Sequence, residues 1–272
     1  MKVTKQKGSA TSIRRGLHSK IRKYIFPLFG FAAIVILWQA ASWLELFAVG
    51  AVPSPLEVAK GMWELILDGR LIDFSIASLF RVTVGYYLAV LAAIPIGLFI
   101  GWSSLLQDIF NPLIQFLRPI SPLAWIPLAL LWFGIGDPPA VFLIFLSSFF
   151  PLLVATISAV SSIDRLLVRA AVNIGMPKGK MMFKIVFPAS LPAIVINLRI
   201  SLGIAWLVVV AAEMIAVKSG LGYLIIDSRN ALRMDWVIDS MIIIGLIGIV
   251  LDRIIRRLER LKSLRWGYAQ SL

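Results

Sequence analysis

The chain has 272 residues, 60% of them hydrophobic and 15% charged, a balance that excludes an ordinary soluble domain and places it among integral membrane proteins. A net charge of +13 would suit nucleic acid, but the basic residues flank apolar runs instead of interleaving with aromatics, so membrane topology accounts for them. Cysteine is absent, which excludes disulfides and Cys-based metal sites, and the one histidine, His18, belongs to a solvated basic tail.

Residues 1–23 hold eight Lys or Arg and no acid, and read as a flexible cytoplasmic tail. Residues 24–44 are an apolar run of about 20, the length of one bilayer crossing. A faint cleavage-like Ala48-Val49-Gly50 follows, but the tail is too long and the run too extended for a signal peptide, so an uncleaved first helix is expected. Pro53-Ser54-Pro55 opens an amphipathic segment to Asp68 that suits the outer surface, with Trp63 at the interface. Residues 71–81 lead into a second crossing at 84–102. The third, 112–133, carries Pro112, Pro119, Pro122 and Pro127; the fourth is 139–160, the fifth 189–217 and the sixth about 236–258. The fold class is therefore all-α and polytopic, with six transmembrane helices: residues 24–70 form the first helix and outer segment, 71–260 a core domain, and 261–272 a cytoplasmic tail. With the N-terminus inside, nineteen Lys or Arg fall on cytoplasmic pieces and six, Arg81 among them, on outer ones, as the excess of positive charge inside requires. Arg253, Arg256, Arg257 and Arg260 form a basic stripe suited to anionic headgroups.

The polar interruption at 161–188 breaks this pattern. Ser161 and Asp164 have capping-box spacing, and Ile163, Leu166, Leu167, Ala170, Ala171 and Ile174 recur at helical intervals. Gly175 stops the helix and Pro177 keeps it from resuming, which leaves a piece of about thirteen residues, about 20 Å long, too short to span but suited to lying in a groove.

Arg169-Ala170-Ala171, then Gly175, then Ile185-Val186-Phe187-Pro188 resemble the motif of the permease subunits of ATP-binding-cassette importers. Arg169 replaces that family's usual glutamate and Phe187 its leucine. The stretches RPISPLAWIPLALLWFG, AWLVVVAAEMIAVKSGLGYLI and SLFRVTVGYYLA resemble the branch that imports nitrate, bicarbonate, taurine and alkanesulfonates, a branch that also holds carriers of heterocyclic vitamin precursors. The resemblance implies a cytoplasmic coupling helix at 161–176, with Arg165, Arg169, Ala170, Ala171, Gly175 and Pro188 as its coupling residues. It also implies separate cytoplasmic ATPase subunits that hold ATP and Mg, an external substrate-binding protein, a homodimer in the inner membrane with both termini cytoplasmic, and Gly220 and Gly222 near an outer gate.

No Gly-x-x-x-x-Gly-Lys-Ser/Thr loop is present, so hydrolysis is expected on a partner, and no catalytic set, bound cofactor or metal ligand set is expected on this chain. Prolines within a span free backbone carbonyls that lipid cannot satisfy, which makes Arg118, Ser121 and Pro122 candidates for the wall of a translocation pathway; Arg199 and Glu213 are further candidates for it. Arg118 and Arg199 lie about 9 to 15 Å into the membrane by helical rise, where each needs a counter-charge, a wet cavity or a route to headgroups. Attraction of an anion and pairing within the bundle both remain open for them. Glu213 and Asp239 are expected to pair with Lys218, Arg229 or Arg233. A secondary transporter or channel independent of an ATPase is the competing class; against it stands the absence of a carboxylate chain for ion coupling. A membrane-embedded enzyme lacks a nucleophile with a base.

Overall fold

The computed structural model describes residues 26, 29–44 and 52–259, in which no strand occurs; the tails at 1–23 and 261–272 lie outside them. The chain divides into two compact units between Trp63 and Glu64. In the first, α1 (Phe29–Trp43) is an apolar helix shorter than a full span, and the expected first crossing begins outside the described residues. Trp38 Nε1 donates to the Pro53 carbonyl at 2.9 Å. The Ser54 amide donates to the Glu57 carboxylate at 2.7 Å and the Glu57 amide to Ser54 Oγ at 3.3 Å, a capping box that starts α2 (Pro55–Leu67) where the Pro-Ser-Pro signal put it.

The second unit contains α3 (Arg70–Trp102), α4 (Ser104–Leu117), a 3-10 turn (Pro122–Trp125), α5 (Ile126–Phe133) and α6 (Asp137–Ser161). It continues with α7 (Arg165–Asn173), α8 (Lys178–Met181), a π-helical turn (Met182–Val186), α9 (Phe187–Ala216), α10 (Leu221–Asn230) and α11 (Met234–Glu259). At its centre α6 packs against α3 and α9. Small residues let α3 and α6 approach closely: a Cβ on Gly85 would lie 2.8 Å from Ile144, on Gly97 2.6 Å from Thr156, and on Gly101 2.8 Å from Val160. These pairings advance together along both helices, so α3 and α6 run parallel. Early α6 meets late α9 in a cluster of Ala140, Leu143, Ala212 and Ala216 with Ile126, Ala129 and Val217, so α9 runs the other way. The bundle thus has two ends about 30 Å apart by helical rise: one where α3 and α6 finish and α7 begins, the other holding Arg81, Asp137 and Glu213.

Among the described residues four stretches are long and apolar enough to cross a membrane: α3, α6, residues 178–216 and residues 234–257 of α11; α4 and α5 make a fifth if their pair counts as one span. Three sequence expectations change here. The third crossing is not one helix but two pieces bent by 82° at Arg118–Ser121, because Pro119 and Pro122 interrupt the amide ladder. Residues 71–81, taken as a lead-in with Arg81 outside, belong to α3. The stretch after Gly220, taken as a connection, contains the ten-residue α10, whose Leu221 and Leu224 are fully buried.

Candidate functional site

α7 is shorter than expected and capped by a different residue. Ser161 completes α6, its hydroxyl donating to the Ile157 carbonyl at 2.9 Å, so it is not free to cap the next helix. Asp164 takes that place, accepting from the Leu166 amide at 2.8 Å, and α7 runs for nine residues. Gly175 ends it as the sequence implied: at φ +74° its amide donates to Val172 O at 2.9 Å and the Met176 amide to Ala171 O at 3.0 Å, the paired bonds of a Schellman stop. Pro177 starts a helix instead of barring one, since the first turn needs no amide there; the Met181 amide donates to Pro177 O at 3.1 Å. Pro188 is the second residue of α9, just after a π-helical turn in which the Phe187 amide reaches back to Met182 O.

Ala171 is buried beneath α7, with Ile163, Val168 and Met176 half-buried around it. Ala170 is exposed beside Leu166, Leu167, Val172 and Ile174; Leu166 and Ile174 are 72% and 76% exposed. Arg165 and Arg169 are also exposed, and no acid among the described residues pairs with either. The helix is pinned by one small side chain and offers a mixed apolar and basic surface, the composition of a docking element.

At the opposite end lies a buried ionic cluster. Arg81, 2% exposed, donates from Nε to Asp137 at 2.7 Å, and from Nη1 to Glu213 at 2.7 Å and to the Ser219 carbonyl at 2.9 Å; its Nη2 meets Ser219 Oγ. The other Glu213 oxygen accepts from Ser78 Oγ at 2.8 Å and the Gly222 amide at 3.0 Å, and Ser78 accepts from the Leu221 amide at 2.9 Å. Desolvating such a pair is tolerable when the remaining lone pairs and protons find partners, and here Arg81 makes four hydrogen bonds and Glu213 accepts three. Glu213 is 0% exposed. It is therefore a clamp and not part of an open wall, and its partner is Arg81 instead of Lys218, Arg229 or Arg233. Sequence reading missed Arg81 by assigning it to an outer loop; the usable signal was Ser78 and Arg81 on one helical face. Gly220 and Gly222 are required by closeness: a Cβ on Gly220, at φ +100°, would fall 2.3 Å from Glu213 Oε1, and one on Gly222 2.2 Å from Val210 O.

The two arginines that the sequence treated alike are separated. Arg199 donates to Asp252 at 2.6 Å, and Arg256 bonds the other oxygen of the same carboxylate at 2.8 Å, so pairing within the bundle accounts for Arg199. Arg118 caps the C-terminus of α4, is exposed, and has no ion pair with a described residue. It lines a cavity of about 500 Å³ with Asn111, Ile114, Gln115 and Pro119 of the α4 segment and Val154 and Ile157 of α6. The helix dipole would favour a cation at this C-terminus by about 0.3–1 kcal/mol. Ser121 is exposed and its hydroxyl accepts from the Leu123 amide at 3.3 Å, while half-buried Pro122 opens the 3-10 turn; neither lines this cavity.

Beside the start of α11, Arg233 bonds Glu64 at 2.6 Å and Asp235 at 2.7 Å. The guanidinium carbons of Arg233 and Arg70 lie 3.9 and 4.6 Å from the centre of the Trp236 ring. Hydrogen bonding to Asp235 is the main influence that lifts the Arg233 pKa above its ordinary range, opposed by burial. Asp239, expected to pair with these cations, is buried with neither carboxylate oxygen hydrogen-bonded. Among the described residues no group of His, Cys, Asp and Glu could hold a metal ion.

A parallel α3–α6 pair with α9 antiparallel, one broken crossing and a short helix between α6 and α9 define a multi-pass transporter subunit of the type I permease fold. The family model for the inner membrane component of binding-protein-dependent transport systems matches residues 93–263, and the chain belongs to that family. A putative ABC transporter permease of Methanocaldococcus jannaschii is 48% identical over 70% of this chain and 72% of its own length. The taurine transport system permease of Escherichia coli is 32% identical over 91% of this chain and 95% of its own. The bicarbonate transport system permease of Synechococcus elongatus is 34% identical over 94% and 96%. An inward-facing structure of the MetNI methionine ABC transporter superposes with a TM-score of 0.55 at 17% identity, covering 67% of this chain and 93% of that one, a likeness of fold.

Proposed function

We propose that this chain, as a pair of identical copies, forms the translocation pathway of an ATP-driven importer for a small anion, with a separate ATPase docked on each α7 and an external binding protein at the end that holds Arg81. The observation that carries the reading is α7 itself: a short helix at one end of the bundle, pinned by Ala171, whose Leu166, Leu167, Val172 and Ile174 have no covering element among the described residues. Relatives named for taurine, bicarbonate and aliphatic sulfonates support a small anionic or sulfonated cargo. The charge asymmetry of the sequence supports α7 and both termini on the cytoplasmic side, where ATP is. Closure of the ATPases would draw the two α7 helices together and, because α6 runs into α7 through only three residues, tilt the central helix with them. Gly220 and Gly222, packed on Glu213, would hold the outer gate.

Reconstitution with the cognate ATPase tests this. Leu166→Asp is expected to abolish ATP-dependent uptake while leaving the melting temperature unchanged, since Leu166 makes little contact with its own chain. Arg169→Glu is expected to weaken ATPase docking if the cleft that receives α7 is acidic. Solute movement into liposomes without any ATPase, or labelling that puts α7 outside the cell, would falsify the proposal.

A further inference from the structure

The cavity beside Arg118 is a better-defined feature than the pathway reading requires. Asn111, Gln115 and Arg118 follow at intervals of four and three residues, so α4 presents two amides and a guanidinium on one face, opposite Val154 and Ile157 of α6. Arg118 supplies the lining's only formal charge. Asp108, the one acid on α4, is ten residues away, about 15 Å along the helix, too far to neutralise it. Ile157 lies four residues before the end of α6, so the cavity belongs to the α7 end of the bundle. A volume of about 500 Å³ takes a small solute with a few waters.

We infer that Asn111, Gln115 and Arg118 form a binding site for a small oxyanion with one negative charge, the last station of the cargo before release on the α7 side. This rests on the reading of the chain as an anion carrier. A planar guanidinium receives two oxygens of a sulfonate, nitrate or bicarbonate side by side, and the amides donate to the rest. One fixed positive charge balances one negative charge; a doubly charged sulfate would keep an uncompensated charge beside Ile114, Pro119, Val154 and Ile157, and is disfavoured. Arg199, held by Asp252, takes no part.

Scintillation-proximity binding of labelled methanesulfonate to the whole permease–ATPase complex in nanodiscs, without nucleotide or binding protein, reads the site directly. Nitrate is expected to displace the label, and sulfate to do so at least about tenfold less well. Arg118→Gln is expected to weaken binding about tenfold or more, Arg118→Lys to keep part of it, and Arg199→Gln to leave it within about twofold, with melting temperatures confirming folded complexes. Unchanged binding in Arg118→Gln, equal displacement by sulfate, or no saturable binding to the unaltered complex overturns the inference. ATP-driven methanesulfonate and nitrate uptake by the same complex in proteoliposomes, with the binding protein restored, separates the two levels. Uptake that persists when the cavity binds nothing removes the site alone, whereas absence of ATP-driven uptake of either anion removes the carrier reading beneath it.

Discussion

Arg81 and Arg118 are two cations in one apolar bundle, and their surroundings differ completely. Arg81 is enclosed by α3, α6, α9 and the turn before α10, with each of its three side-chain nitrogens directed at an oxygen. Arg118 stands at a break between two helices, exposed to a cavity that amides share. The first arrangement commits charge to fixing elements together, since removing Arg81 or Glu213 strands the other where water cannot reach it, while Asp137 stays half exposed. The second leaves a charge for something mobile to meet. Buried and hydrogen-bonded in one place, exposed and without an ion pair to a described residue in the other, the same side chain is fixed by its neighbours at Arg81 and left open at Arg118.

The largest effect should come from Arg81→Met, which leaves Glu213 buried without its cation and is expected to destabilise the bundle by about 3–5 kcal/mol. Loss of monodisperse protein in detergent would register it, and the double variant Arg81→Met with Glu213→Leu should recover part of the loss. If the single variant melts like the unaltered protein, the clamp is not a clamp. Next, Gly220→Ala places a Cβ against the Glu213 carboxylate at a left-handed φ and is expected to lower stability by about 1–3 kcal/mol. Leu232, at φ +58° between α10 and α11, is expected to yield a gain of about 0.5–1 kcal/mol on change to Gly. Arg118→Gln sharpens the contrast from the other side, with a stability change expected within about 0.5 kcal/mol even as anion binding falls. A large drop in melting temperature there would put Arg118 in the same structural class as Arg81.

Much of the helical layout was legible because its signals are local. The fourth, fifth and sixth apolar runs, the stop at Gly175 and the Pro-Ser-Pro opening of α2 each depend on nearby residues, and each stands close to where the sequence placed it. Ser161 and Asp164 show the limit: both are good caps, and only the extension of α6 to Ser161 decided which of them was free. Arg199 and Arg118 had equivalent surroundings in sequence, and Asp252, fifty-three residues from Arg199, told them apart. Glu213 and Arg81 are 132 residues apart, so no local pattern could join them.

By itself the sequence determined that this is a multi-helix membrane protein with a short amphipathic element between its fourth and fifth apolar runs, because hydrophobicity, helix stops and charge bias act over distances of a turn or a span. Tertiary structure decided which charges are spent on holding the bundle and which stay available. That choice depends on the parallel packing of α3 on α6 and the return of α9, which bring residues distant in sequence within hydrogen-bonding range while leaving Arg118 at a break where no acid among the described residues pairs with it.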